Sequence, residues 1–301
     1  MIPFVRDITF DYGACDRLTP LIRRVVANNP GPFTFLGTGT YIIGNGDSVA
    51  VIDPGPDMDD HLQAILKATE GERITHIFVT HNHLDHSPLA KPLQALTGAV
   101  TYGCPLNGPL GSDSESDIRM EAGDDRGFVA DVGVCDGGTF QGDGWTIEAI
   151  ATPGHTSNHV CYALHEEKAL FSGDHIMGWS TTVISPPDGD MGDYFDSLDR
   201  IKARDFSTLW PTHGPPITEP GPFIQAYIDH RRNREAQILA AIGQGLTRIK
   251  AMVPVLYKDV DPRLHPAAAH SVLAHTLHLV SEGRLTTDGA PGLDSEYALK
   301  T

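Results

Sequence analysis

Up to about residue 220 the apolar residues come in short runs separated by polar turns, and after it they fall at helical spacing. Thr40–Gly44 and Ser48–Ile52 are two β-rich runs flanking Asn45-Gly46. That arrangement predicts a hairpin, because Asn-Gly accepts the positive φ of a tight two-residue turn. Asp53-Pro54-Gly55 then turns the chain. Met58, Leu62, Ile65 and Leu66 are spaced for a helix over 58–69. Ile74-Thr75-His76-Ile77-Phe78-Val79 is short, β-branched and apolar, and predicts a buried strand. A helix is expected over 87–96 despite Pro88 and Pro92, then a strand over 99–102. Residues 111–127 are rich in Asp, Ser and Gly and read as an exposed loop or lid, a solvated insertion. Strands are expected at 145–150, 159–164 and 168–172, a helix over 194–203 and a last strand at 208–210.

Pro215-Pro216 and Pro220-Gly221-Pro222 mark a linker. Three helices should follow, over 223–242, over 248–257 with Thr247 as its cap, and from Pro266 to Glu282. The third presents Ala269, Val272, Leu273, Leu277 and Val280 on one face. Gly283 ends it, and Arg284-Leu285-Thr286 reads as a short wing. The pattern divides the chain into a large α/β domain, 1–220, and a small winged-helix-like domain, 221–301.

At 301 residues, with 40% hydrophobic and 20% charged residues, the chain has the composition of a globular protein with room for a large core. No apolar stretch approaches the ~18 residues of a membrane helix, and no secretory core opens the chain, so a cytoplasmic location and no membrane partner are expected. Cys15, Cys104, Cys135 and Cys161 form no CxxC pair and read as reduced, mostly buried thiols. Net charge is −17. Residues 1–220 carry 13 Lys and Arg against 31 Asp and Glu, whereas 221–301 carry 9 against 8. The large domain would repel nucleic acid at long range, so any such role needs a local patch.

The chemistry concentrates in Thr80-His81-Asn82-His83-Leu84-Asp85-His86, directly after the 74–79 strand. Open α/β sheets place their sites at such strand ends. Imidazoles and a carboxylate at this density suit a divalent metal of borderline softness. Later strands each end in one more residue of that type: His155, Asp174 and His213. Together with His81, His83, Asp85 and His86 they are enough for two ions. His81, His83 and His155 are expected to hold the first, and Asp85, His86 and His213 the second. Asp174 is expected to bridge them. Ions ~3.5–4 Å apart convert a shared water to hydroxide near neutral pH, which would serve as the nucleophile. Zinc is the expected metal, and manganese or iron accepts the same donors. Asp85 would also orient the nucleophile. His175, Trp179, Thr181 and Thr182 either line the pocket, with His175 as proton donor or anchor, or pack the loop. Asp53 should accept hydrogen bonds from the metal loop without touching metal. His76 reads as a core or edge histidine, and His270, His275 and His278 as ordinary helix residues. His230, Arg231, Arg232 and Arg234 form a local basic patch at a helix start that suits either a solvated or interdomain salt-bridging face or a phosphate contact.

These motifs resemble the metallo-β-lactamase superfamily. Its HxHxDH signature is matched by His81, His83, Asp85 and His86, and its later turns by Pro153-Gly154-His155-Thr156, Gly173-Asp174 and His213-Gly214. The resemblance covers about residues 30–216 and implies an αββα four-layer sandwich. A finer resemblance, to the beta-lactamase-like protein 2 group, lies in Asn29–Thr34, Gly39–Tyr41, Ile52–Gly55 and His230–Leu239. It implies a zinc-dependent hydrolase with a C-terminal winged-helix-like domain and, for some members, cleavage of single-stranded RNA. True β-lactamases lack a bridging carboxylate at the position of Asp174, which argues against β-lactam hydrolysis. The glutathione-binding basic pattern of glyoxalase II enzymes is not found.

The expected activity is hydrolysis of an ester, thioester, lactone or phosphodiester, with a small molecule or RNA as substrate. Competing readings are an endoribonuclease acting on single-stranded RNA, a non-catalytic nucleic-acid-binding protein using the helical C-terminal part, and redox chemistry on iron. A winged-helix extension also leaves room for a homo-oligomer.

Overall fold

A computed structural model describes residues 1–105 and 123–300, so the expected lid at 111–127 lies outside the described residues apart from 123–127. Strands β1 (Cys15–Arg17), β2 (Ile22–Val26), β3 (Gly39–Ile43) and β4 (Val49–Ile52) run antiparallel in sequence. Helix α1 (Asp59–Ala68) leads to β5 (Ile74–Phe78), and α2 (Ala90–Thr97) leads to β6 (Val100–Gly103). These two strands and β7 (Val132–Gly133) continue the sheet in parallel to seven strands. A second sheet holds β8 (Thr139–Gly142), β9 (Trp145–Ala151), β10 (Val160–Leu164) and β11 (Ala169–Gly173), all antiparallel. After α3 (Met191–Lys202) the chain returns as β12 (Thr208–Pro211), parallel to β11.

Alternation along the strands explains the layering. Tyr41 and Ile43 point into the space between the sheets, where they meet Phe78, Ile147, Tyr162 and Phe171. Ile42, Val49 and Val51 point the other way, onto Leu62 and Ile65 of α1 and Leu93 of α2. The outer face of the second sheet, with Ile150, Cys161, Ala163 and Leu170, is covered by Tyr194, Phe195 and Leu198 of α3. Both faces of each sheet are therefore buried, which is why the central strands read as nearly continuous apolar runs. The result is the α-β-β-α sandwich.

Helix α4 (Pro220–Gly243) opens on Pro220, inside the expected linker and three residues before the expected start. A proline at that position loses nothing, because the first helical N–H has no partner in any case. Phe223, Ile224 and Tyr227 of α4 pack into the cluster under the second sheet. Ile238, Ala241 and Ile242, further along, pack into a separate cluster with α5 (Ile249–Leu256) and α6 (His265–Ser281). β13 (Leu285–Thr287) and β14 (Tyr297–Leu299) pair as the wing. Val272, Leu273, Ala269, Leu277 and Val280 of α6 all join this second cluster.

Three local expectations are corrected. Thr247 does not cap α5: its hydroxyl donates to Glu296 at 2.9 Å and ties the helix start to the wing. Helix α2 begins at Ala90, because Ser87 is drawn into the preceding loop, with its hydroxyl on His83 O and Asp125. Of the four thiols only Cys161 is buried; Cys15 and Cys135 are exposed. Among the described residues no helix is long and apolar enough to cross a membrane.

Candidate metal centre

Four loops converge at one end of the two sheets. The loop after β5 supplies His81, His83, Asp85 and His86, and the turns after β9, β11 and β12 supply His155, Asp174 and His213. These side chains belong to residues between 0% and 7% exposed. Two glycines make the approach possible. Gly154 has φ +136°, and a Cβ there would lie 2.5 Å from the Tyr194 backbone. Gly173 has φ +52°, and a Cβ there would lie 2.5 Å from His159 Nε2.

The donor atoms fall into two groups. Those of His81, His83 and His155 lie within 4.8 Å of one another, as do those of Asp85, His86 and His213. Asp174 faces both: Oδ2 lies 3.9 Å from His155 Nε2, while Oδ1 lies 3.6 Å from His86 Nε2 and 3.4 Å from His213 Nε2. Oδ2 of Asp85 lies 3.1 Å from His213 Nε2.

The rear nitrogen of most rings is spoken for. His155 Nδ1–H donates to Val183 O at 2.7 Å, and His213 Nδ1–H to Gly37 O at 3.2 Å. A carbonyl can only accept, so both rings present an unprotonated Nε2 when neutral. Asp53 anchors the rest. Its fully buried carboxylate accepts from Thr80 N, Thr80 Oγ1, Thr212 Oγ1 and His86 Nδ1 at 2.8–2.9 Å. Thr80 Oγ1 has given its proton to Asp53, so at 3.0 Å it accepts from His81 Nδ1. Asp53 itself sits at φ 49°, a strained value for a non-glycine residue and one that concentrates at functional sites.

Electrostatics tie the cluster together. Burial alone would raise the Asp85 carboxyl, but His86 and His213 hold it down to about 2. Asp174 is held well below the usual carboxylate range against the same burial penalty by His213, His86 and His155. Burial disfavours a charged His86, yet Asp85, Asp174 and Asp53 raise it well above its ordinary value. His213 is likewise raised by Asp174 and Asp85. Burial and the neighbouring imidazoles push His81 well below. Buried carboxylates require a partner positive charge. Asp85 Oδ1, Asp174 Oδ1 and the Nε2 atoms of His86, His155 and His213 are buried without a hydrogen-bond partner. Orphaned acceptors pointing at one another fit divalent cations, so the residues present suit the group.

A small cleft opens over this floor, walled by Pro32, Phe33, Met177, Trp179 and Val183, with Ser180 and Thr181 beside them. Trp179 stacks on Phe35 at 4.8 Å. Of the loop residues expected to line the pocket, Trp179 and Thr181 do. Thr182 is buried beneath, its hydroxyl on the carbonyls of Asp174 and His175 at 2.8 and 2.9 Å. His175 is fully buried against Tyr194, away from the cleft, and burial with the adjacent His155 lowers it to about 3. Its placement matches the packing alternative. The basic patch is spent on structure: Arg232 and Arg234 lie over the rings of Phe195 and Tyr257, at 4.0 and 4.2 Å. Arg231 is buried and donates to Thr182 O.

Sequence reading missed His159. It is buried beside His81 and His155, and its Nε2 accepts from the Asp174 backbone N–H at 3.2 Å. Nδ1–H then donates to Thr152 Oγ1 at 2.8 Å. The signal available was its spacing, four residues after His155 and immediately before β10.

Residues 34–213 match the family model of the metallo-beta-lactamase superfamily, and 249–292 match that of the beta-lactamase associated winged helix domain. The chain belongs to the metallo-beta-lactamase superfamily. It is a metal-dependent hydrolase. It is 34% identical to a beta-lactamase-like protein 2 homolog of Drosophila melanogaster over 90% of this chain and 92% of that one. It is 32% identical to an atrochrysone carboxyl ACP thioesterase of Aspergillus fumigatus over 81% of this chain and 71% of that one. The crystal structure of a beta-lactamase domain protein from Burkholderia ambifaria superimposes with a TM-score of 0.81 at 18% identity, covering 97% of this chain and 95% of that one. The last likeness concerns the fold alone.

Proposed function

We propose that the protein hydrolyses a small ester or thioester with an uncharged, apolar acyl part, using two zinc ions. His81, His83 and His155 would hold one ion and Asp85, His86 and His213 the other, and Asp174 faces both donor groups. When bound, the cations lower the pKa of water and polarise a substrate carbonyl. Asp85 supports the attack with Oδ1, which is buried without a partner: it accepts a hydrogen bond from the attacking water and fixes its direction. Phe33, Met177, Trp179 and Val183 exclude bulk water and seat the acyl part. The hydroxyls of Ser180 and Thr181 offer the polar contacts that orient it. His175 packs beneath the loop and takes no proton in the reaction.

The observation that carries this reading is the lining of the cleft. Among the described residues no Lys or Arg faces it. A phosphodiester backbone needs such charges, and RNA binding draws most of its affinity from them. The arginines of the α4 basic patch are occupied in packing: Arg231 donates to Thr182 O, Arg232 lies over Phe195 and Arg234 over Tyr257. The thioesterase named among the relatives is in keeping with the same chemistry. A substrate panel tests it: an acyl thioester, an aryl ester, a lactone, a phosphodiester, single-stranded RNA and a cephalosporin, each with and without chelator. Chelator-sensitive turnover of the thioester or ester is expected. Chelator-sensitive cleavage of RNA with inert acyl substrates would replace this reading with an endoribonuclease.

A further inference from the structure

The segment between Asp174 and Val183 supports the site at two points. Its Thr182 hydroxyl lies on the carbonyls of Asp174 and His175, and its Val183 carbonyl fixes the proton of His155 on Nδ1. The segment is not self-supporting. Tyr194 on α3 donates to His175 O at 2.8 Å. Tyr227 on α4 donates to Met177 O at 2.6 Å and also reaches Ser180 O. Arg231, one turn further along α4, donates to Thr182 O.

Arg231 is an expensive residue for mere packing. It is 4% exposed, lies 5.4 Å from the Tyr194 ring, and among the described residues has no carboxylate at ion-pair distance. A buried charge with no counter-ion is strongly unfavourable, and an aliphatic side chain would fill the space without that penalty. What the guanidinium adds is a charge-assisted N–H aimed at one carbonyl.

We propose that Arg231 is a positioning residue for the metal site. By fixing Thr182 O it holds the Thr182 hydroxyl under Asp174 and the Val183 carbonyl against His155. The helix leading into the C-terminal domain thereby sets one ligand of the first ion and the carboxylate shared by both. The inference rests on the dinuclear reading above.

The test measures cation affinity by competition with a chromophoric chelator, and thermal unfolding of the metal-free protein, for wild type, Arg231→Met, Arg231→Lys, Thr182→Val and the double variant Arg231→Met/Thr182→Val. Arg232→Met serves as control, since Arg232 touches Phe195 and Glu235 but nothing in the 174–183 segment. Outer partners of metal ligands are worth ~10–100-fold in affinity. Arg231→Met and Thr182→Val are each expected to weaken binding about 10-fold. The double variant should be no weaker than the worse single one, and Arg231→Lys should recover part of the loss. Arg232→Met should bind as wild type whatever its unfolding temperature. The proposal is overturned if Arg231→Met binds both cations with wild-type affinity, or if the two losses multiply in the double variant. If Arg231→Met does not fold, wild-type affinity in both Arg231→Lys and Thr182→Val overturns it equally. A wild-type protein that binds no cation would refute the dinuclear reading instead.

Discussion

Asp53 touches no expected metal atom, yet replacing it by Asn should disable the site. The carboxylate accepts four hydrogen bonds in a fully buried position: Thr80 N on Oδ1, and Thr80 Oγ1, Thr212 Oγ1 and His86 Nδ1 around Oδ2. An amide keeps one oxygen and turns the other into a donor. With the NH2 in the place of Oδ1 it meets the Thr80 backbone N–H, which cannot turn away. In the place of Oδ2 it meets two hydroxyls, which can rotate, and His86 Nδ1, which must give up its proton. That proton then sits on Nε2, the atom aimed at the second cation. The first orientation leaves a buried donor unpaired, at ~1–3 kcal/mol of stability. The second costs ~10–100-fold in metal affinity, or ~1.4–2.7 kcal/mol. Chelator competition on folded Asp53→Asn, alongside thermal unfolding of its metal-free form, reads both quantities. Binding of both cations at wild-type affinity together with wild-type stability would refute the reasoning.

Other outcomes follow from the same geometry. Asp174→Ala should lose one cation and at least ~100-fold in hydrolysis, since even outer partners are worth that much at the upper end; metal analysis and initial rates check it. Gly154→Ala places a methyl 2.5 Å from the Tyr194 backbone at φ +136°, so a loss of ~1–3 kcal/mol in denaturant unfolding is expected. Glu235 lies 2.7 Å from His278 and 3.6 Å from His275, where α4 meets α6. Burial opposes its charge, but these histidines lower it to about 2, so its contribution is full above pH ~4.5 and is lost as pH falls toward 2. His278 is raised, chiefly by its hydrogen bond to Glu235, so its contribution is full below pH ~6.5 and fades as pH rises through the folded value. The stability difference between wild type and His278→Gln should thus be larger at pH ~6 than at pH ~9, measured by urea unfolding; an equal difference at both would count against the assignment.

Much of this was legible in the residues because local chemistry and tertiary context agreed. Asn45-Gly46 required a hairpin turn, and His81 to His86 followed a strand whose β-branched run admits no helix. The order of strand ends placed His155, Asp174 and His213 without any structure. What escaped depends on long-range partners. Ile22-Arg23-Arg24-Val25-Val26 does not read as a fully buried strand, because its arginines are satisfied only in the fold: Arg23 by the distant Glu72 and the carbonyls of Ala68 and Gly44, Arg24 by Asp16 on the neighbouring strand. The short edge strands β7 and β8 carry too few apolar residues to signal themselves. Thr247 has the right residue type for a cap, but the carboxylate of Glu296 across the wing outcompetes the helix for its hydroxyl. Arg231 looked like part of a surface patch, since charge alone does not reveal which face of α4 turns inward.

The cage of imidazoles and carboxylates is the centre of the account, and metal analysis of the freshly purified protein addresses it most directly. Two divalent cations per chain are predicted, with acyl hydrolysis lost on their removal and regained when zinc is returned. A protein that hydrolyses its substrate at full rate with fewer than one cation per chain would contradict it.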